Sequence, residues 1–109
     1  MVYAIIKHKV KDYDSWFPVF YEHGKERRRF GCIDERVYRT LEDPNVTVVI
    51  LHWPSAEAFQ DFVAGSNLQA AMKGGGVVEE PRIDVLSDAV FEQQLPPVAS
   101  AAPTTRAAR

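Results

Sequence analysis

Cysteine is almost missing from this chain of 109 residues, in which Cys32 is the single example. One cysteine cannot form an internal disulfide, so nothing points to an oxidising compartment. Cys32 lies at the predicted start of a strand, with no His or Cys at metal-ligand spacing. We therefore expect a small buried residue and no metal site. Long apolar runs are also missing, which excludes a predicted membrane span.

Excess charge of one sign is lacking as well. The formal net charge is −2, and a nucleic-acid partner would require a basic face. Lys7, His8 and Lys9 interrupt the region where a signal peptide needs its apolar core. The chain is 46% hydrophobic and 26% charged, as in a globular protein. We expect one cytoplasmic domain with no nucleic-acid or membrane partner.

The most informative segment present is Val46 to Trp53, VTVVILHW. It has the length of a strand and carries apolar residues on both faces, whereas a strand of a small antiparallel sheet normally alternates. One layer of helices covers only one face of a sheet. We therefore expect a second copy of the chain to cover the other face, in a homodimer.

Periodic patterns on either side of this segment give the order of elements. Val2 to Val10 alternates like a strand, and a helix capped by Asp12 or Asp14 runs to Gly31. A second strand, Cys32 to Leu41, precedes the turn residues Asp43-Pro44-Asn45.

After Trp53, Ser55 caps a second helix whose predicted buried side is Phe59, Phe62 and Val63. A continuation with Leu68, Ala71 and Met72 ends at three glycines, and Arg82 to Phe91 is the last strand. The order β-α-β-β-α-β predicts an α+β, ferredoxin-like fold: a four-stranded antiparallel sheet with helices on one face. Residues 1–95 form this domain, and the Pro/Ala-rich residues 96–109 are a predicted disordered tail.

An even-length loop between the second and third strands would place odd residues of one beside even residues of the other. Glu35 would then lie opposite His52 across a four-residue loop, and Val37 would do so across a two-residue turn. On the other face, Arg36 and Tyr38 would join three apolar residues of the third strand, Val49, Leu51 and Trp53. This face resembles an interface, and we expect the dimer to form through it.

The strongest candidate for chemistry is His23. Spacings of four, three and four residues place Trp16, Phe20, His23 and Arg27 on one stripe of the first helix. We expect His23 to be a general acid/base with a lowered pKa and Arg27 to stabilise an anion. The alternative is a structural histidine at the edge of the stripe, satisfied by a carboxylate or a carbonyl.

His52, beside Glu35 in one of the two registers, is the second catalytic candidate, and its alternative is a cross-strand ion pair. His8 and His52 lie at opposite ends of antiparallel strands, which argues against a shared metal site. Four aromatic residues are candidates for substrate binding, although helical spacing is also typical of core: Trp16, Phe20, Phe59 and Trp53.

Three segments together resemble a known family: VKDYDSWFPVFYEHGKERRRFG, ERVYRTLEDPNVTVVILHWPSAEAFQDF and LQAAMKGGGVVEEP. They are similar to the dimeric α/β-barrel superfamily, and more narrowly to antibiotic biosynthesis monooxygenases and cyclase-like proteins. The resemblance implies a homodimer with face-to-face sheets and a ligand cleft between helices and sheet. Some members oxygenate with Asn, Trp and Tyr. Here Asn67 and Trp53 have no matching Tyr.

These observations together predict a cofactor-independent enzyme of the monooxygenase or cyclase type. Its ligand would be a small cyclic or aromatic metabolite in an apolar cleft, and we expect no cofactor. The alternative is a small-molecule-binding or accessory protein of the same fold without turnover.

Overall fold

The computed structural model describes residues 1–87 and Pro96. Four strands form the sheet: β1 (Val2–Lys9), β2 (Asp34–Arg39), β3 (Val46–Trp53) and β4 (Arg82–Ser87). Four helices lie between them: α1 (Tyr13–Glu22), α2 (Gly24–Arg29), α3 (Ala56–Gly65) and α4 (Leu68–Gly74). The sheet has the order β2-β3-β1-β4 with antiparallel neighbours throughout. The predicted ferredoxin-like α+β fold is confirmed. The end of the last predicted strand and, apart from Pro96, the predicted tail lie outside the described residues.

Local sequence signals explain where the helices begin. The Asp12 carboxylate accepts a hydrogen bond from Ser15 N at 3.0 Å, and Ser55 Oγ accepts one from Ala58 N at 3.1 Å. Both are N-caps that satisfy an otherwise unpaired helix N–H. The first helical pattern was expected to form one helix, but it forms α1 and α2, which meet at His23. At this junction the Phe20 carbonyl accepts a hydrogen bond from Arg27 Nη2 at 2.8 Å.

The register between β2 and β3 differs from the expectation. Thr40 N donates to Val46 O, which leaves five residues, 41–45, in the loop. Because five is odd, residues of equal parity share a face, and Glu35 lies opposite Leu51 while Asp34 lies opposite His52. Both predicted registers, with Glu35 or Val37 opposite His52, were therefore wrong.

This change of parity also reverses the two faces of β3 relative to β2. Val49, Leu51 and Trp53 are buried beneath the helices in the hydrophobic core. The prediction that they form the dimer interface was wrong, because a shift of one residue moves every side chain of a strand to the other face. The uncovered face carries half-buried Ile5, Val48, Ile50 and His52 of β1 and β3.

The helices cover the sheet unevenly. Phe59 and Phe62 of α3 are buried as predicted, but Val63 is 42% exposed and points away from the core. No residue of β4 is buried, although Ile83 and Val85 pair with the core residues Ile6 and Ala4 of β1. Cys32 is half-buried and precedes β2 rather than opening it. The helix side of the sheet is therefore closed over β3 and β1 and open toward β4.

Asn45, at the end of the β2–β3 loop, connects this loop to the β1–α1 connection. Its side-chain oxygen accepts a hydrogen bond from Tyr13 N at 2.9 Å, and its backbone carbonyl accepts one from Val10 N at 2.8 Å. The first residue of α1 is thus held by a residue 32 positions later in the chain.

Candidate functional site

An apolar cavity lies between the helices and the sheet. The enclosed cavity has a volume of about 50 Å³. The volume rises to about 550 Å³ when all empty space between the lining residues, including space open to solvent, is counted. The first volume is enough for a few waters, since one needs roughly 10–15 Å³. A ring-sized ligand would extend into the mouth. The lining residues are Ile6, His8, Trp16, Val19, Phe20, His23, Arg27, Val49, Leu51, Phe62, Leu68, Ala71, Met72 and Ile83.

The more exposed lining residues of the cavity lie on β4 and α4. Ile83 of β4 is 42% exposed, and α4, which supplies Leu68, Ala71 and Met72, has no buried residue. Few buried contacts hold α4 in place, so this side can widen at lower cost than the packed core.

His23 lies at the junction of α1 and α2, and its imidazole contacts the Phe62 ring with centroids 5.6 Å apart. Its Nε2 atom is buried without a hydrogen-bond partner. Burial, and secondarily the positive charge of Arg27, lowers the pKa of His23, while Glu26 opposes this shift. The predicted direction is confirmed. A neutral imidazole on this wall can accept a proton or a hydrogen bond from a ligand.

Arg27 is 3% exposed and held on several sides. Its Nε donates to Glu35 Oε2 at 2.6 Å, and its Nη2 donates to Glu35 Oε1 at 3.3 Å and to Phe20 O at 2.8 Å. The guanidinium also lies 3.7 Å from the centroid of the Phe20 ring. Arg27 therefore joins the helix junction to β2, and most of its donors are already used.

His8 on β1 is a third polar residue of the cavity wall. It is 7% exposed, and its ring meets the Trp16 ring edge-on with centroids 5.5 Å apart. Its Nε2 lies 3.3 Å from Thr47 Oγ1, while Nδ1 is buried without a partner. Burial lowers the pKa of His8.

The structure brings four of the predicted site residues together: Trp16, Phe20, His23 and Arg27 all line the cavity. Phe59 and Trp53 do not line it, because they pack against each other and against Phe62 in the core.

His52 lies on the uncovered sheet face, where its Nδ1 is 3.2 Å from Asp34 Oδ2 and its ring stacks on Tyr3 at 4.3 Å. It therefore cannot act together with His23 in this cavity. The cross-strand alternative describes its position, with Asp34 rather than Glu35 as the contacting carboxylate.

Sequence reasoning missed His8 as a residue of the site. The signal was present, since the alternation of β1 places His8 on the same side as Ala4 and Ile6, which are core residues. The cavity residues from α4 were predicted as helical but not as part of a site.

Other kinds of site find little support in the described part of the chain. Residues 1–87 contain no group of three or more His, Cys, Asp or Glu side chains arranged to hold a metal ion. The pKa of the Cys32 thiol is raised to about 11, chiefly by burial. The thiol is therefore a poor nucleophile at neutral pH. No helix in this part of the chain is long and apolar enough to cross a membrane.

Fold and cavity together define a small ferredoxin-like α+β protein with an apolar chamber under its helices. The family model for antibiotic biosynthesis monooxygenase matches residues 19–74, just over half of the chain. The protein belongs to the antibiotic biosynthesis monooxygenase family. A comparison with curated proteins gives no match.

Several solved structures share this fold. A protein assigned to the antibiotic biosynthesis monooxygenases from Bordetella bronchiseptica has a TM-score of 0.70 at 17% identity, over 82% of this chain and 97% of that one. A protein with the same assignment from Caulobacter crescentus has a TM-score of 0.67 at 21% identity, over 83% of this chain and 90% of that one. SnoaB, a cofactor-independent oxygenase from Streptomyces nogalater, has a TM-score of 0.66 at 17% identity, over 84% of this chain and 97% of that one. At these identities the likeness shows the fold.

Proposed function

We propose that this protein is a cofactor-independent monooxygenase or cyclase-like enzyme acting on a small cyclic or aromatic metabolite. The observation that carries the proposal is the buried, unpartnered Nε2 of His23 on a mostly apolar cavity wall. Membership of the monooxygenase family and the similarity to SnoaB add support. A neutral imidazole in such a place is suited to general-base catalysis.

In the proposed reaction, His23 takes a proton from an acidic hydroxyl or enolisable C–H of the bound ligand. The electron-rich anion then reacts with dioxygen, and a ring CH₂ group becomes C=O with release of one water. The substrate supplies both electrons that the second oxygen atom needs to form water. Deprotonation is the step that the protein controls, because the anion is far more readily oxidised than the neutral ligand.

Arg27 has a different part in this proposal from the anion stabiliser expected from sequence. Its Nε and Nη2 are bound to Glu35 and Phe20 O, so it acts mainly as a positioning residue. It fixes the helix junction that carries His23, and its charge helps to keep that imidazole neutral. The same charge favours an anion formed nearby.

The test is oxygen consumption by the full chain with a panel of oxygen-sensitive phenols and enolisable cyclic ketones. We expect at least one to be oxidised, with one dioxygen consumed and one oxygen atom inserted per product molecule. His23→Gln should lower the rate by about 10²–10⁴-fold with an unchanged thermal midpoint. His52→Gln is the matched control, because His52 lies on the other face of the sheet. Equal rates for His23→Gln and the unsubstituted chain would refute the role of His23.

A second candidate function is ligand binding without turnover. The small free volume and the commitment of Arg27 to Glu35 favour it. Saturable binding of panel compounds, weakened by His23→Gln and accompanied by no oxygen consumption above the protein-free rate, would select this alternative.

For assembly, a homodimer through the uncovered sheet face is part of the proposal. Ile5 and Ile50 lie at the centre of one row across this face, with Arg36 at the β2 edge and Asp84 at the β4 edge. A two-fold axis parallel to the strands would place β2 over β4 of a second copy. Arg36 would then face the opposite charge of Asp84 in that copy, around an apolar centre.

Sedimentation of the full chain tests the dimer. Ile50→Asp should give a monomer, because the carboxylate would be buried in the interface without a partner. Val63→Asp is the control, since Val63 lies on the exposed side of α3. A stable monomer for the unsubstituted chain would contradict the proposed assembly.

A further inference from the structure

Among the polar residues that line the cavity, His8 has no role in the proposed function. It lies on the helix side of β1, and only 7% of its surface is exposed. Its Nδ1 has no partner, and such groups are rare enough in native proteins to require an explanation. A structural histidine would be expected to satisfy both ring nitrogens.

Thr47 determines which nitrogen of His8 carries the proton. Thr47 is fully buried, and its hydroxyl lies 3.3 Å from both the His8 carbonyl oxygen and His8 Nε2. A hydroxyl has one hydrogen to donate. When it donates to the carbonyl, it can still accept from Nε2–H, and both bonds form. The opposite tautomer would lose one of these bonds and leave a buried Nδ1–H without an acceptor.

The favoured tautomer therefore presents a bare lone pair at Nδ1. The cavity that His8 lines is mostly apolar, with Ile6 on the same face of β1 and Trp16 meeting the His8 ring edge-on. Burial lowers the pKa of His8, so the ring remains neutral and keeps the lone pair available at pH 7. A buried acceptor of this kind is best satisfied by a ligand hydroxyl or N–H.

We propose that His8, oriented by Thr47, is a second ligand-binding residue, and that the cavity selects ligands with two hydrogen-bond donors on an apolar ring. One donor would bind His8 Nδ1, and the other would bind His23 Nε2, the second unpartnered ring nitrogen of this wall, in the tautomer that leaves its lone pair free. The inference rests on the proposed ligand site but not on turnover. A ligand with one donor leaves one acceptor unpaired, which costs affinity.

The probes are resorcinol, with two hydroxyls, and 3-methoxyphenol, with one. Calorimetric titration of the full chain at pH 7 should show about a tenfold preference for resorcinol, the worth of one hydrogen bond. His8→Phe keeps an aromatic ring without the acceptor and should reduce the preference to about twofold or less. His52→Phe, on the other sheet face, should retain it. No binding of resorcinol to the unsubstituted chain, or an unchanged preference in His8→Phe, would overturn the proposal.

Two further measurements test the part of Thr47. Long-range ¹H–¹⁵N spectra of the unsubstituted chain should show the Nε2–H tautomer of His8, and the Nδ1–H tautomer would overturn the proposal without any variant. Thr47→Val should lower the resorcinol preference roughly threefold, while Thr47→Ser, which retains the hydroxyl, should preserve it. A preference that survives in Thr47→Val also counts against the proposal. Failure of the oxygenase proposal would appear separately, as resorcinol binding with no oxygen consumption by any panel compound.

Discussion

Replacing Arg27 with methionine tests whether this residue is mainly structural. Met has nearly the length of the Arg stem and fills the same apolar surroundings. The substitution removes the hydrogen bonds from Nε and Nη2 to Glu35 and to the Phe20 carbonyl. It also leaves the Glu35 carboxylate, 28% exposed, without its cation.

The expected loss is large because only one partner of the pair is removed. Breaking a buried ion pair in this way costs about 3–5 kcal/mol, and the partial exposure of Glu35 favours the lower end. A loss of about 3 kcal/mol corresponds to a fall in thermal midpoint of about 12–24 °C for a domain of this size. Adding Glu35→Leu should recover most of the loss, because the uncompensated carboxylate is then also removed.

Urea unfolding followed by far-UV circular dichroism measures these differences. Arg29→Met is the matched control, since Arg29 pairs with Glu26 at 2.7 Å on the exposed side of α2. Arg29→Met should lower the free energy of unfolding by no more than about 0.5 kcal/mol. The reasoning fails if Arg27→Met costs less than about 1 kcal/mol, or if the double variant is no more stable than the single one.

Three further predictions concern stability. Burial lowers the pKa of both His8 and His23 below the ordinary 6.5, so the unfolded chain binds more protons just below that pH. The free energy of unfolding should then be greatest above pH 6.5 and fall as the pH is lowered; urea titrations at pH 7.5 and 5.5 should show this, with a smaller fall after both are changed to Phe. Gly75→Ala should destabilise by about 1 kcal/mol or more, because a Cβ would lie 3.2 Å from a backbone carbonyl of α4 and 3.0 Å from a tryptophan ring. Gly74→Ala, which meets nothing within 4 Å, should be neutral or stabilising by up to about 1 kcal/mol in the same denaturation assay. A chain ending at Leu95 should keep its melting temperature, since the residues removed have no apolar pattern to offset the entropy of ordering them; a loss of several degrees would show that they dock.

The order of elements could be predicted from local signals. Capping residues, periodicity and turn residues fix the type of each segment, and Val46–Trp53 was predicted with its observed bounds. Which face of that strand is buried depends on the length of one loop. Thr40 N bonds to Val46 O across five residues, and nothing local in the sequence distinguishes five residues from four. The assumption of an even number therefore exchanged the two faces of β3.

The candidate site was predicted in its helical half. Trp16, Phe20, His23 and Arg27 line the cavity because helical spacing is an adequate guide to one face of a helix. The sheet half was missed because it depends on pairing between distant strands. His8 is placed by its partner Thr47, which is 39 positions away, and the pairing of Arg27 with Glu35 crosses from a helix to a strand.

The bonds of Asn45 to Val10 and Tyr13 have a consequence for the order of folding. Tyr13 N, at the start of α1, has its partner only after the β2–β3 hairpin has closed and met β1. Residues so distant in sequence meet late, because the intervening chain must first lose its entropy. The start of α1 should therefore acquire protection from hydrogen exchange together with the hairpin loop, and later than the middle of the helix. Asn45→Ala should speed unfolding more than it slows folding.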